Sequence, residues 1–133
     1  MKIDSEQEML ELGKKLASDV KAPSIIELVG DVGAGKTTLV RGLAEGLGVK
    51  EPITSPSFTI SKAYALSDEK QLIHYDFYRL SDPGLMAEDL AENLSNPNNI
   101  IVIEWGESIA DLLPENHMKI IIEYTDDGRR VVL

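Results

Sequence analysis

The segment from Gly30 to Thr37 constrains this chain of 133 residues more than any other part of it. It reads Gly-Asp-Val-Gly-Ala-Gly-Lys-Thr, in which two glycines flank four residues and are followed by Lys and Thr. Glycines let a loop wrap phosphate groups with its N–H groups pointing inward, because no Cβ blocks that path. The apolar run Ser24 to Val29 predicts a strand before the loop, and a helix is predicted to begin near Gly35 or Lys36. This order of strand, loop and helix favours a phosphate-binding loop over a chance glycine-rich turn.

The chemistry expected of this loop is the binding of ATP with Mg²⁺. Lys36 can reach the β- and γ-phosphates, and the Thr37 hydroxyl can bind Mg²⁺. The positive N-terminal end of the following helix adds to the attraction for phosphate. The loop needs an acidic partner, because a phosphate-binding loop by itself holds the metal incompletely.

Two acidic residues at predicted strand ends are candidates for that partner. Glu104 follows the apolar run Ile100 to Ile103, and Asp76 follows Leu72 to Tyr75. We expect Glu104 to help hold Mg²⁺ through a bound water, and Asp76 to orient the attacking water or support the metal. The alternatives are a solvated acid for Glu104 and a structural hydrogen-bond acceptor for Asp76.

Composition limits the classes of protein that this chain can represent. The length fits a single domain over residues 1–133, and the absence of cysteine excludes disulfides and thiolate metal sites. No apolar run approaches the roughly 20 residues of a membrane span, so a cytoplasmic protein without membrane contact is expected. With 13 basic and 23 acidic residues the net charge is −10, which disfavours nucleic-acid binding by the chain alone.

The remaining pattern predicts a three-layer α/β domain, in which a mostly parallel P-loop sheet is extended by antiparallel hairpins. Ser5 begins a capping box, which predicts a helix from about Glu6 to Val20. The helix that begins near Lys36 is expected to end at Gly48, and hairpins are expected over 58–78 and 119–133. The other expected elements are a helix from Pro83 to Leu94, a strand from Ile100 to Trp105 and a short helix before Pro114.

Other phosphate-binding classes fit the sequence less well. The Asn-Lys-x-Asp and Asp-x-x-Gly strings of small GTPases are both missing, so GTP is not the expected nucleotide. Small-molecule kinases usually carry an Arg-rich lid and a substrate-binding insertion, for which 133 residues leave little room. A minimal nucleotide switch or accessory ATPase remains.

Four motifs, taken together, resemble the bacterial TsaE (YjeE) family of tRNA threonylcarbamoyladenosine biosynthesis. They are Gly30 to Thr38, Thr54 to Thr59, His74-Tyr75-Asp76-Phe77-Tyr78-Arg79-Leu80 and Ile103-Glu104-Trp105. The resemblance covers nearly the whole chain, and the His-x-Asp-x-Tyr-Arg-Leu string is its most specific part. Ser57 stands where the family usually has Thr, and the segment Met86 to Leu94 matches the family pattern poorly.

The resemblance implies a weak ATPase that works with a TsaD–TsaB complex, which transfers threonylcarbamoyl to tRNA beside the anticodon. This chain would contact tRNA indirectly, through its partners, and would regulate or reset them. The alternative is a nucleotide-gated binding module without significant hydrolysis. The implied site comprises the catalytic residues Lys36, Asp76 and Glu104, the metal ligands Thr37 and Glu104, and the nucleotide-binding residues Asp31, Val32, Gly33, Ala34, Gly35, Lys36, Thr37 and Thr38, with Thr38 near the α-phosphate.

Several residues of the motifs keep two interpretations. The segment Ser55 to Thr59 resembles a switch loop that senses the γ-phosphate, or it is the start of a strand. Arg79 faces a phosphate or partner, or is an ordinary surface residue. Trp105 lies against the nucleotide or partner, or belongs to the core. His74 is expected to be a packed or hydrogen-bonded strand residue rather than a catalytic one, since a lone His has no nucleophile to serve.

Overall fold

A computed structural model describes residues 2–30, 35–53, 61–77, 84–126 and 128–133. Seven strands form one sheet in these ranges, accompanied by three α-helices and a 3-10 helix. The strands are β1 (Lys2–Ile3), β2 (Ser24–Val29), β3 (Ser61–Ala65), β4 (Gln71–Asp76), β5 (Asn99–Glu104), β6 (Met118–Thr125) and β7 (Gly128–Val132). The helices are α1 (Glu6–Ala17), α2 (Lys36–Leu47), α3 (Leu85–Leu94) and the 3-10 helix Gly106–Leu112.

The sheet has a parallel centre and antiparallel margins. Its order is β1-β7-β6-β2-β5-β4-β3, and the pairs β6–β2, β2–β5 and β5–β4 are parallel. The hairpins β3–β4 and β6–β7 are antiparallel, as is the pairing of β1 with β7. All six residues of β5 are buried, as expected for the middle of a parallel sheet. The predicted fold class, a mostly parallel sheet with hairpin extensions, is confirmed.

Helices cover both faces of the sheet and create two apolar clusters. Leu39 and Val40 of α2 belong to the larger cluster, which also holds α1 side chains and the inward residues Leu72 and Val102. Leu90 of α3 belongs to the second cluster, with side chains from the opposite face of β4 and β5. Alternate residues of one strand therefore face different helices, as the pleat requires.

Helix α1 begins where the sequence predicts. The Ser5 side chain accepts a hydrogen bond from the Glu8 amide at 3.1 Å, and the Glu8 carboxylate accepts one from the Asp4 amide at 3.0 Å. The helix ends at Ala17, three residues before the predicted end at Val20, because the next amides make tight i−3 bonds, such as that from Asp19 to the Leu16 carbonyl. Val20 is still buried in the core.

Other boundaries differ slightly from the prediction. Strand β5 ends at Glu104, since Trp105 adopts a left-handed conformation. The hairpin over 119–133 is confirmed, but Gly128 pairs with Thr125 inside the ladder instead of forming the expected Asp-Gly turn. Strand β1 was not predicted, because two residues are too few to show a pattern. The predicted elements over 58–60, 78–80 and 81–83 lie outside the described residues.

Candidate phosphate-binding site

The parallel strands bring their carboxyl ends to one edge of the sheet. Strand β2 runs into Gly30, and the register pairs Asp76 with Glu104 and Glu104 with Leu28. Glu104 therefore lies beside the end of the strand that leads into the glycine-rich loop, and Asp76 lies one strand further along the same edge. In open parallel sheets this edge is where ligands bind.

Lys36 is the first residue of α2, and its side chain is 6% exposed. Its Nζ donates to the Gly30 carbonyl oxygen at 2.5 Å and lies 4.0 Å from Glu104 Oε1. It also lies 4.0 Å from the ring centroid of Trp105, within range of a cation–π interaction. The lysine thus connects the start of α2 to the ends of β2 and β5.

Glu104 is buried, with 4% of its side chain exposed, so it is not a solvated strand-end acid. Its Oε2 lies 2.5 Å from Nε2 of His74, whose side chain is completely buried. With the carboxylate ionised, the imidazole donates and the carboxylate accepts. His74 is a hydrogen-bonded strand residue, as the sequence predicts, and its partner is the candidate acid.

Trp105 leaves the strand with φ 58° and ψ 51°, a left-handed conformation that is rare for a bulky side chain. Its indole is partly buried against the second apolar cluster while also contacting the Lys36 ammonium. Trp105 therefore packs on the core and contacts Lys36 at the candidate site, whereas its contact with a nucleotide or partner stays a prediction. Uncommon backbone conformations of this kind concentrate at functional sites.

Helix α2 presents the other predicted residues. Gly35 caps its N-terminus with φ 107°, a conformation that suits glycine, and Thr37 is exposed in the first turn. Thr38 is half-buried and lines a cleft of about 310 Å³ together with Gly35. Of the remaining predictions, Asp31, Val32, Gly33, Ala34, Arg79 and the segment Ser55 to Thr59 lie outside the described residues.

Known proteins share the sequence and the fold of this chain. The model of the family "Threonylcarbamoyl adenosine biosynthesis protein TsaE" matches residues 3–132. The chain belongs to the TsaE family. The resemblance inferred from the four motifs is thereby confirmed.

Individual relatives support the assignment to the TsaE family. A Streptomyces coelicolor protein named tRNA threonylcarbamoyladenosine biosynthesis protein TsaE is 44% identical over 116 residues, covering 86% of this chain and 78% of the relative. A Haemophilus influenzae protein of the same name is 36% identical over 136 residues, covering 98% of this chain and 85% of the relative. The crystal structure of Bacillus subtilis YdiB superposes with a TM-score of 0.79 at 32% identity, covering 98% of this chain and 80% of that one.

The donor groups of the candidate site fit a metal that takes most of its ligands from phosphates and waters. Among the described residues, no group of three or more His, Cys, Asp or Glu side chains is placed to hold a metal ion. Mg²⁺ is usually bound by one or two protein oxygens, with phosphates and waters as the other ligands. An exposed Thr37 hydroxyl and the Glu104 carboxylate, which lies 4.0 Å from Lys36 Nζ, fit that requirement.

A second polar pair near the site was not predicted. Glu27 interrupts the apolar run of β2, and its Oε1 lies 2.9 Å from Nε2 of His117. A hydrogen bond to the Pro114 carbonyl and the contact with Glu27 raise the pKa of His117 above its usual value, against the opposing effect of burial. The charged residue inside an apolar run was the one signal in the sequence for this pair.

Within the ranges that the structure describes, no helix is both long and apolar enough to cross a membrane.

Proposed function

We propose that this chain binds ATP with Mg²⁺ and hydrolyses it slowly, as an accessory ATPase in threonylcarbamoyladenosine modification of tRNA. The observation that carries the proposal is the convergence of Lys36, Glu104 and Trp105 at the carboxyl edge of the sheet. Family membership and the names of the relatives support the tRNA pathway. The proposed catalytic unit is the single domain over residues 1–133.

Phosphate binding is assigned to Lys36, the N-terminus of α2 and the glycine-rich loop. Lys36 exchanges its bond to the Gly30 carbonyl for the β- and γ-phosphates, which offer a stronger charge-assisted interaction. Residues 31 to 38 supply backbone N–H groups, of which those of Gly35 to Thr38 belong to the cap and first turn of α2.

Mg²⁺ is assigned to the Thr37 hydroxyl and, through a bound water, to Glu104. The metal would neutralise negative charge on the phosphates. Glu104 already contacts His74 and lies near Lys36, which supports an indirect role toward the metal.

Hydrolysis transfers the γ-phosphoryl group to water, giving ADP and phosphate. Asp76 is assigned to orienting the attacking water, because it is half-buried and pairs with Glu104 at the strand ends. Lys36 would offset the negative charge that develops on the transferred group, and Glu104 would help to hold Mg²⁺ through a bound water. Arg130 pairs with Glu123 on β6, and Arg41 pairs with Glu6 on α1. These two arginines are thus engaged away from the strand ends, and we propose that turnover is slow until a partner completes the site.

The cleft beside α2 is the proposed position of the nucleoside. It is lined by Ser5, Glu6, Met9, Gly35, Thr38 and Arg129. It adjoins the first turn of α2, where Thr38 is expected to meet the α-phosphate. The alkyl part of Arg129 offers apolar surface to a base, whereas Ser5 and Glu6 offer polar groups to a ribose.

The proposed partners are a TsaD–TsaB complex and, through it, tRNA. The net charge of −10 would repel a tRNA backbone, which supports assigning most tRNA contacts to the partners. The tRNA pathway named for the relatives supports a cytoplasmic location.

The test is ATP hydrolysis and MgATP binding by the wild type and by Glu104→Ala, each alone and with TsaD–TsaB plus tRNA. We expect slow hydrolysis alone, stimulation by the complete mixture, and loss of at least about tenfold in rate for Glu104→Ala, equivalent to about 1.4 kcal/mol of transition-state stabilisation. Lys50→Ala is the control, since Lys50 is exposed and lies beyond the end of α2. MgATP binding without hydrolysis in any mixture would favour the gated binding module, and no ATP binding would contradict the proposal.

A further inference from the structure

His74 is the most deeply buried ionisable group of the site, and the proposed reaction does not yet use it. Its side chain has no solvent exposure, and Nε2 contacts Glu104 Oε2 at 2.5 Å. Its other ring nitrogen, Nδ1, is buried and has no hydrogen-bond partner among the described residues. A polar ring buried with one nitrogen unpaired is costly to keep, and an apolar side chain would fill the space without that cost.

The position of His74 follows from the register of the sheet. Strand β4 lies parallel to β5 with Asp76 opposite Glu104, and His74 precedes Asp76 by two residues. His74, Asp76 and Glu104 therefore project to the same face, the one covered by α2. In this diagonal placement the imidazole contacts Oε2 of the carboxylate, whereas the loop lysine lies nearer Oε1.

Glu104 is consequently held between two donors at unequal distances. Oε2 is bonded to His74 at 2.5 Å, whereas Oε1 is 4.0 Å from Lys36 Nζ, at the limit of an ion pair. A buried carboxylate freed from His74 would move toward the only ammonium beside it in the described residues, because opposite charges attract strongly where water is excluded. Such a closed pair would occupy both Lys36 and Glu104.

We propose that His74 is a positioning residue, which holds Glu104 away from Lys36 so that the lysine stays available to phosphate and the acid to Mg²⁺. This inference rests on the proposed ATP site. Loss of His74 is expected to weaken nucleotide binding and turnover through Glu104, with no direct contact between the imidazole and the nucleotide. An additional substitution at Glu104 should therefore remove most of the effect of substituting His74.

The test is a double-mutant cycle of His74→Leu, Glu104→Gln and the combined variant. Steady-state ATP hydrolysis with TsaD–TsaB and tRNA gives kcat/KM. Emission of Trp105, the sole tryptophan of the chain, gives MgADP affinity without any turnover. We expect His74→Leu to lower kcat/KM and MgADP affinity at least about tenfold in the wild-type background but less than about twofold in the Glu104→Gln background. His74→Gln, which keeps an amide donor, should recover most of the loss.

Equal losses from His74→Leu in both backgrounds would overturn the inference, because they would show that His74 acts independently of Glu104. If His74→Leu does not fold, His74→Gln and His74→Asn replace it, since the shorter Asn has the same amide but less reach. Equal MgADP affinities of that pair would also overturn it. An absence of hydrolysis in the wild type contradicts the proposed function alone, because the MgADP cycle still decides the role of His74.

Discussion

The close approach of α1 and α2 makes Gly42 the position where one added methyl group should disturb the site most. A Cβ built at Gly42 would lie 2.2 Å from the Leu10 carbonyl oxygen and 3.0 Å from its carbon. An ordinary contact begins at 3.4 Å, so the two helices must separate by more than 1 Å to admit the methyl group. Both colliding groups are backbone, and no side-chain rotation can relieve the clash.

The expected cost combines two opposing effects. Overpacking of a tight interface costs about 1–3 kcal/mol, and a backbone collision belongs near the upper end of that range. Replacing glycine with alanine inside a helix returns about 1 kcal/mol through helix propensity. We therefore expect Gly42→Ala to lower the free energy of unfolding by roughly 2 kcal/mol, or the midpoint of thermal unfolding by roughly 6–10 °C in a domain of this size.

The site should be affected as well, because α2 carries Lys36 and Thr37 at its N-terminus. Displacement of these groups by about 1 Å should weaken MgATP binding at least about tenfold. The matched control is Gly48→Ala at the other end of α2, where no atom lies within 4 Å of the new Cβ but φ is 96°. That variant should also lose about 1–2 kcal/mol of stability through left-handed strain, with less than about twofold change in affinity.

Calorimetry and MgATP titration of the two glycine variants decide the matter. Wild-type stability of Gly42→Ala would refute the packing argument. Equal losses of affinity in the two variants would refute the argument that α2 is placed by its contact with α1, because general destabilisation would then explain both results.

Two further predictions concern side-chain pairs outside the candidate phosphate-binding site. Because the pKa of His117 is raised in the folded state, its contacts stabilise the fold fully below pH 6.5 and lose that contribution as pH rises through the folded-state pKa. The difference in free energy of unfolding between wild type and His117→Gln, measured by chemical denaturation, should therefore shrink from pH 6 to pH 8.5. Asp89→Ala should lower the free energy of unfolding by about 1 kcal/mol, because the Tyr75 hydroxyl loses the bond that it donates to Asp89 at 2.6 Å but keeps the bond that it accepts from Asn93. A denaturation midpoint equal to that of the exposed-site control Glu92→Ala would contradict this prediction.

Much of the fold could be predicted because local signals and burial agree along most of the chain. The strand Ser24–Val29 and the helix end at Gly48 are as predicted, since an apolar run and a left-handed glycine specify them locally. Strand β1 could not be predicted, since it exists only through its pairing with β7. The early end of α1 at Ala17 depends on a change of hydrogen-bonding pattern that apolar spacing does not report.

For the candidate site, the sequence indicates which residues to consider but not how they contact one another. The sequence identifies Lys36 and Glu104 by motif and by strand-end position, whereas the bond between His74 and Glu104 depends on the register of β4 against β5. Register joins residues 30 positions apart, and no local pattern encodes it. The contact of Trp105 with Lys36 likewise requires the left-handed turn after β5.

The distribution of buried polar groups links stability to nucleotide binding. Among the described residues, the buried polar or charged side chains are Lys36, His74, Asn99 and Glu104, and three of these four form the single connected group of the site. Buried charges are stable only when paired, so if Lys36 turns to a phosphate as proposed, Glu104 keeps His74 as its protein partner beside the proposed Mg²⁺. On the proposed function, nucleotide binding at α2 would therefore change the electrostatic environment at the end of β5, where Trp105 begins the turn into the 3-10 helix.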